Sequence, residues 1–264
     1  MHAAEFQLSA YLRRIGLPTD SPLTASVTTV QQLMVAQLRS IPFENLDVQA
    51  GYIVSLEPAD IVKKILGVAG EATRGGYCYE VNALFAMALT ELGIPYQFVF
   101  CRPMFYPMRR PKTHMALIVQ VEGQHLLCDL GFGSYGLRAP IALASVNQPQ
   151  VQDYDRFQLR QPEPGQYVLQ ADIQGEWVDQ YGFDLYPAQW IDFAPANYLN
   201  STHPDTIFVQ KVLVIRQHAE GRVLLVGNEL KRTVRGQTQV EPVIDLAKVL
   251  LQEFALVAPA ARSA

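Results

Sequence analysis

The apolar residues of this chain change their spacing at Pro95, and that change limits the folds open to it. Before Pro95 they recur every three or four residues. Leu8, Tyr11, Leu12 and Ile15 share one helical face, and Gly16 and Pro18 stop the run. Val27, Val30, Met34, Leu38 and Ile41 repeat the pattern until Pro42 ends it. Pro58 takes a first-turn position ahead of Ile61, Val62, Ile65 and Leu66. The last helix of the set begins at Cys78. There Val81, Leu84, Phe85, Ala88, Leu89 and Leu92 line one face, Gly93 caps the end and Pro95 lies beyond.

After Pro95 the runs are short, β-branched or alternating, and bounded by turn residues. Segments 96–102, 114–121 and 124–130 read as strands, as do pieces near 156–160, 166–173 and 176–182. A stretch rich in Pro and aromatic residues (Tyr186, Pro187, Trp190, Phe193, Pro195, Tyr198) separates these from a second strand set at 207–216, 222–227 and 231–235. A helix over 242–254 closes the chain, and the tail 258–264 is expected to fray. Helices first and strands after them indicate an α+β fold with segregated layers. The divisions fall at 1–93, 94–185 and 186–264.

With 264 residues, 49% of them apolar, the chain buries a core without needing a disulfide or a metal. The formal net charge of −4 gives no blanket attraction to nucleic acid or an anionic membrane. No uninterrupted apolar run is long enough to span a bilayer, and the start of the chain lacks the pattern of a signal peptide. The three cysteines, at 78, 101 and 128, are odd in number and too few for a disulfide scaffold. A soluble cytoplasmic protein with reduced thiols is the expectation. No HExxH, CxxC, GxGxxG or P-loop pattern occurs, so no metal is expected.

Two segments carry chemistry. In Arg74-Gly75-Gly76-Tyr77-Cys78-Tyr79-Glu80 a helix begins directly after a glycine pair, which puts Cys78 in its first turn. Unpaired N–H groups and the helix dipole favour a thiolate there; a structural thiol at a buried helix start has the same signature. The second segment is a hairpin, 114–121 and 124–129 around Glu122-Gly123. A two-residue type I′ turn sets Val121 opposite Gln124 and puts His114 and Asp129 on one face, within reach of each other. A three-residue turn would put them on opposite faces. A helix-start thiol, an imidazole and a carboxylate that orients it are the parts of an activated nucleophile. The alternative is a His–Asp pair that serves only the hairpin. His125 falls on the other face, and Cys101 and Cys128 read as buried strand residues.

Taken together, IPFENLD at 41–47, RGGYCYE at 74–80, THMALIV at 113–119, CDLGFG at 128–133 and NYLNSTHPDTIFVQ at 197–210 resemble the arylamine N-acetyltransferase family over about residues 5–235. The resemblance implies a Cys78–His114–Asp129 triad. It also implies a helical domain, an antiparallel β-barrel and an α/β lid around a cysteine-proteinase-like core. The implied reaction is ping-pong: acetyl-coenzyme A acylates the cysteine, then an arylamine, arylhydrazine or N-hydroxyarylamine takes the acetyl group, with a role in xenobiotic metabolism. Phe43, Tyr77, Phe132 and Phe208 are implied to line the acceptor pocket. Thr113, Gly131 and Gly133 are implied beside the pantetheine arm, in a monomer or homodimer. Beside these, Arg74 is expected to pair with Glu44. The basic loop 102–112 (Arg102, Arg109, Arg110, Lys112) reads as a solvated loop or as a contact for coenzyme A phosphates. The chain departs from many relatives at Gln37, where they carry histidine. Two other functions fit the same residues: an amide synthase taking a carrier-bound acyl group, and a silent scaffold. The CGSCW-type signature of papain-like hydrolases is absent.

Overall fold

Ser26 opens one of the two longest helices of the first third by accepting the Thr29 N–H through its side chain at 3.2 Å, as the preference for Ser at N-caps requires. The computed structural model describes all residues except 21, 68–72, 134, 263 and 264. The first third holds α1 (Leu8–Arg14), α2 (Val27–Ser40), β1 (Phe43–Glu44), α3 (Leu46–Gln49), α4 (Pro58–Leu66) and α5 (Cys78–Glu91). The expected single apolar face of α5 is exceeded. Every residue from Cys78 to Leu89 is buried, because α2, α4 and the strand at 114–121 all pack around this helix.

Eight strands follow: β2 (Tyr96–Pro103), β3 (His114–Val121), β4 (Gln124–Cys128), β5 (Ile141–Ala142), β6 (Gln150–Gln152), β7 (Asp155–Glu163), β8 (Gln166–Ile173) and β9 (Glu176–Asp184). They form one antiparallel sheet in the order β5-β4-β3-β2-β9-β8-β7-β6. The barrel expected here is therefore an open half-barrel with β5 and β6 as its edges. The β3–β4 turn is the two-residue one. Glu122 and Gly123 have φ of 50° and 71°, and Val121 pairs with Gln124. Two successive positive φ values define type I′, whose twist matches the flanking strands.

The last third departs more from its sequence reading. The aromatic stretch contains a 3₁₀ turn at Trp190–Phe193 and α6 (Ala194–Thr202), in which Pro195 lies in the first turn. Residues 207–210, expected as strand, are α7 (Ile207–Gln210): the Thr206 carbonyl accepts the N–H groups of Val209 and Gln210. The second sheet joins β1 to β10 (Leu213–His218), β11 (Gly221–Val226), β12 (Glu229–Val234) and β13 (Gln237–Pro242), in that order. Pro242 ends an edge strand, where its missing N–H is harmless. The final helix, α8 (Leu246–Phe254), starts at Asp245, whose side chain accepts the Lys248 N–H at 3.0 Å. The tail is docked as far as residue 262, where the Arg262 N–H bonds the Ala50 carbonyl; its last two residues lie outside the described ones.

Two links hold the second sheet in place, β1 tying it to the helical third and β7 tying it to the first sheet. β1 pairs with β10, Phe43 opposite Ile215. Asp155 on β7 accepts from Arg138 at 2.7 Å and from Arg222 on β11 at 2.6 Å through one carboxylate oxygen. Both arginines are buried, so losing Asp155 would remove the carboxylate that they share.

Candidate active site

Cys78 is the first residue of α5 and is 2% exposed. The two glycines before it have no room for side chains. A Cβ on Gly75 would stand 2.0 Å from the Pro42 carbonyl oxygen, and one on Gly76 would stand 2.7 Å from the Glu80 Cβ. The chain entering α5 therefore lies flat against β1, and the Gly76 carbonyl accepts the Glu44 N–H. Glu80 reaches back to accept the Tyr77 N–H at 3.0 Å. That closes the N-terminus of the helix just before the thiol.

Beneath this start lies a cluster of three carboxylates and two cations. Arg74 bonds Glu44 at 2.7 Å, the expected pair, and also Asp47 at 2.6 Å. Lys64 bonds Asp47 at 2.5 Å and Glu80 at 2.8 Å. Burial and the neighbouring Glu44 and Asp47 push Glu80 up to about 7 against the pull of Lys64. Raising one carboxylate is the physical outcome where three share two cations out of water.

The hairpin delivers the other two groups. His114 Nε2 lies 2.7 Å from Asp129 Oδ2, both side chains almost wholly buried. The other carboxylate oxygen accepts the Gly131 N–H at 2.9 Å and the Asn82 Nδ2 at 3.4 Å. Asn82, one helical turn after Cys78, also donates to the Met115 carbonyl at 3.1 Å and accepts the Leu130 N–H at 2.9 Å. It thus ties the cysteine's helix to the strands carrying His114 and Asp129. Tyr181 sets its ring 5.2 Å from the imidazole, and Phe132 sets its own at 5.0 Å.

Burial pushes the Cys78 thiol well up, and the charge of Asp129 adds to this; the Tyr79 and Cys78 backbone N–H groups act the other way. An isolated thiolate is therefore unfavourable here. With Nε2 bound to Asp129, Nδ1 is the ring nitrogen of His114 left free.

Cys78 and His114 open on one cavity of about 320 Å³. Phe43, Phe132, Phe208, Thr113, Gly131 and Gly133 line it with them, so eight of the ten site residues read from the sequence meet there. Asp129 sits behind His114. Tyr77 is the correction: it is fully buried, its ring edge-on to Phe208 at 5.7 Å and its hydroxyl bonded to Asn197. It supports the wall and does not face the cavity. Gly131 has a cause of its own, since a Cβ there would stand 2.4 Å from the Cys78 Cα. Thr113 is held through its carbonyl by the Tyr79 hydroxyl at 2.8 Å and Asn200 at 3.0 Å. Asn82 was missed in the sequence, although an Asn on an otherwise apolar helix, one turn from the thiol, is a legible signal. The wall residues Phe105, Tyr106 and Asn200 were missed for want of any local signal, and Arg110, read from the sequence as part of a solvated loop or a contact for coenzyme A phosphates, lines the wall with them.

A thiol at a helix start and a carboxylate-bound imidazole open on one apolar cavity, and these are the parts that nucleophilic chemistry at sulfur requires. The N-acetyltransferase family model matches residues 26–261. The arylamine N-acetyltransferase / N-hydroxyarylamine O-acetyltransferase of Salmonella typhimurium is 31% identical over 261 residues, covering 94% of this chain and 88% of its own. The arylamine N-acetyltransferase of Mycolicibacterium smegmatis is 32% identical over 240 residues, with 88% and 84% covered. Among solved structures, the Salmonella typhimurium enzyme superposes with a TM-score of 0.87 at 30% identity, covering 97% of this chain and 92% of its own. The Mycobacterium marinum enzyme in complex with CoA gives 0.85 at 28% identity, with 94% and 92% covered. The chain belongs to the arylamine N-acetyltransferase family and is an acyltransferase.

No helix among the described residues is long and apolar enough to cross a membrane. Among the same residues no three His, Cys, Asp or Glu side chains are grouped as metal ligands.

Proposed function

We propose that this enzyme moves an acetyl group from acetyl-coenzyme A to arylamines, arylhydrazines or N-hydroxyarylamines in two half-reactions, with Cys78 carrying the acetyl group between them. The observation that carries the reading is the shared cavity of Cys78 and His114, with His114 held by a buried Asp129 at 2.7 Å.

The chemistry follows from the proton inventory. His114 Nδ1 takes the thiol proton as Sγ attacks the thioester carbonyl. Because burial raises the lone thiol, its proton has to pass to His114 for the sulfur to attack. Asp129 stabilises the imidazolium and keeps Nδ1 free in the neutral ring. The first-turn amides of α5 are placed to receive the oxyanion. The C–S bond to coenzyme A breaks, its sulfur takes the proton from His114, and the free thiol leaves. The acceptor nitrogen, or the hydroxyl oxygen of an N-hydroxyarylamine, then attacks the acetyl-cysteine; His114 takes the acceptor's N–H or O–H proton and passes it to the departing Cys78 sulfur as the C–S bond breaks. Phe43, Phe132 and Phe208 suit a flat aromatic acceptor, which binds by its faces. Gly133, at φ 107°, and Thr113 line the same cavity and suit a narrow pantetheine arm.

Three units, 1–93, 94–185 and 186–264, describe how the parts are contributed: the thiol from the first, His114 and Asp129 from the second, and Phe208 from the third. A cytoplasmic setting is in keeping with three free, buried cysteines.

Intact mass after brief mixing with acetyl-coenzyme A, with Cys78→Ala alongside, tests the reading. One acetyl group is expected, absent in the variant and discharged by an aniline or hydrazine. An unacetylated enzyme whose Cys78 still alkylates would refute acetyl-coenzyme A as the donor and direct the search to a carrier-bound acyl group.

A further inference from the structure

The segment that carries Phe208 to the cavity has little packing of its own. α7 is a single turn, and none of its four residues is buried. So short a helix satisfies few of its own backbone groups. The Thr206 carbonyl takes the Val209 and Gln210 N–H groups, and the Ile207 carbonyl takes that of Lys211. The next carbonyls are taken up by the first third of the chain. Asn45 Nδ2 donates to those of Phe208 and Lys211, both at 2.8 Å. Gln49 Nε2 donates to those of Phe208 at 2.6 Å and Val209 at 3.1 Å.

Asn45 gives up its local role to do this. It stands at the N-cap of α3, where an asparagine side chain ordinarily accepts an N–H of its own helix. It makes no such bond, and Glu44 accepts the Leu46 N–H instead, at 2.7 Å. The whole amide is turned toward the last third: Nδ2 holds α7, and Oδ1 accepts the Leu213 N–H at 2.7 Å, where β10 begins. Asn45 is 1% exposed, so water does not compete for these bonds. Phe208 hangs from the backbone so held, its ring 6.1 Å from that of Phe43 on the same cavity. The bonds that hold Asp129 behind His114 come from Asn82 and the Gly131 N–H and do not pass through Asn45 or Gln49.

We infer that Asn45, assisted by Gln49, is a positioning residue that moors α7 to α3 and thereby fixes Phe208 on the wall that an aromatic acceptor meets. This rests on the acetyl-transfer reading and adds to it the residues that set that wall from outside the cavity. Asn45→Asp keeps the shape and the Oδ1 acceptor, but turns a carboxylate with no hydrogen to donate on two carbonyl oxygens. Gln49→Ala removes the other two bonds at an exposed position. Two measurements test the mooring: hydrogen–deuterium exchange of the 203–212 peptide, and the ratio of kcat/KM for aniline to that for hydrazine with one donor. Hydrazine has no ring for Phe208 to meet, so changes in donor handling or in the triad cancel in the ratio. In Asn45→Asp the α7 amides should exchange about tenfold faster, and the ratio should fall by about tenfold. Gln49→Ala should move both in the same direction by less. Unchanged exchange in both variants overturns the mooring, and faster exchange with an unchanged ratio overturns its assignment to the acceptor wall. If Asn45→Asp fails to fold, Gln49→Ala decides on the same two measurements. If the wild type acetylates neither acceptor, the acetyl-transfer reading falls separately, and exchange decides the mooring without turnover.

Discussion

Asp129→Asn changes one atom and should nearly silence the enzyme, because the surroundings dictate which way the new amide points. The Gly131 N–H at 2.9 Å and Asn82 Nδ2 at 3.4 Å both donate to Oδ1. The amide oxygen must take that place, which leaves the NH₂ group at the position of Oδ2, facing His114 Nε2. An imidazole that must accept at Nε2 carries its proton on Nδ1, the nitrogen required as the base. The imidazolium loses its counter-charge as well. At the observed 2.7 Å and an effective dielectric constant of about 20, that attraction is roughly 6 kcal/mol. A triad whose carboxylate becomes an amide loses roughly 10⁴ in turnover, about 5.5 kcal/mol, a loss that this gross attraction is large enough to supply. The assay is the single-turnover rate of Cys78 acetylation followed by intact mass, with circular dichroism to confirm the fold. An Asp129→Asn enzyme that acetylates within about tenfold of wild type would refute the tautomer argument and the role given to His114.

Three further outcomes follow from the same geometry. Gly131→Ala places a methyl group 2.4 Å from the Cys78 Cα, and a displacement of about 1 Å at the nucleophile should lower kcat by about 10²-fold while the protein still folds. Lys64→Met leaves Glu80 and Asp47 short of a cation in a nearly dry site; denaturant melts should show a loss of about 3–5 kcal/mol, and a smaller loss on acidification would identify the stranded carboxylates as the cause. Because burial raises the lone Cys78 thiol, iodoacetamide should react readily below pH 8 in wild type only through His114. In His114→Gln the rate should rise only above the ordinary thiol pKa of about 8.5, and equal pH profiles would count against the pair.

The sequence carried local information well, because local rules act over a few residues. The period of α1, α2, α4 and α5, the stop at Pro42, the Glu122-Gly123 turn and the placing of Cys78 in a first turn were all readable. The turn mattered most, since its length alone decided that His114 and Asp129 would share a face. The reading failed where a short segment takes its shape from distant partners. Residues 207–210 have the composition of a strand and form a helix, while the side chain of Asn45, far away in the chain, holds the carbonyls of Phe208 and Lys211. Strand β1 is two residues long and exists because β10 is there to pair with it.

Of the site, the residues that act on each other within one hairpin or one helix turn were determined by the sequence itself. Tertiary structure alone decided what surrounds them. It buried α5 on every side, raising the thiol it begins with. It turned Tyr77 away from the cavity that its neighbour faces. It laid Phe208, Phe105 and Arg110, from two separate segments, along one wall. Local order is set by backbone geometry and nearest neighbours, and a sequence writes those down directly. Burial and the company a side chain keeps depend on how sheets and helices close over one another, and no short window of sequence contains that.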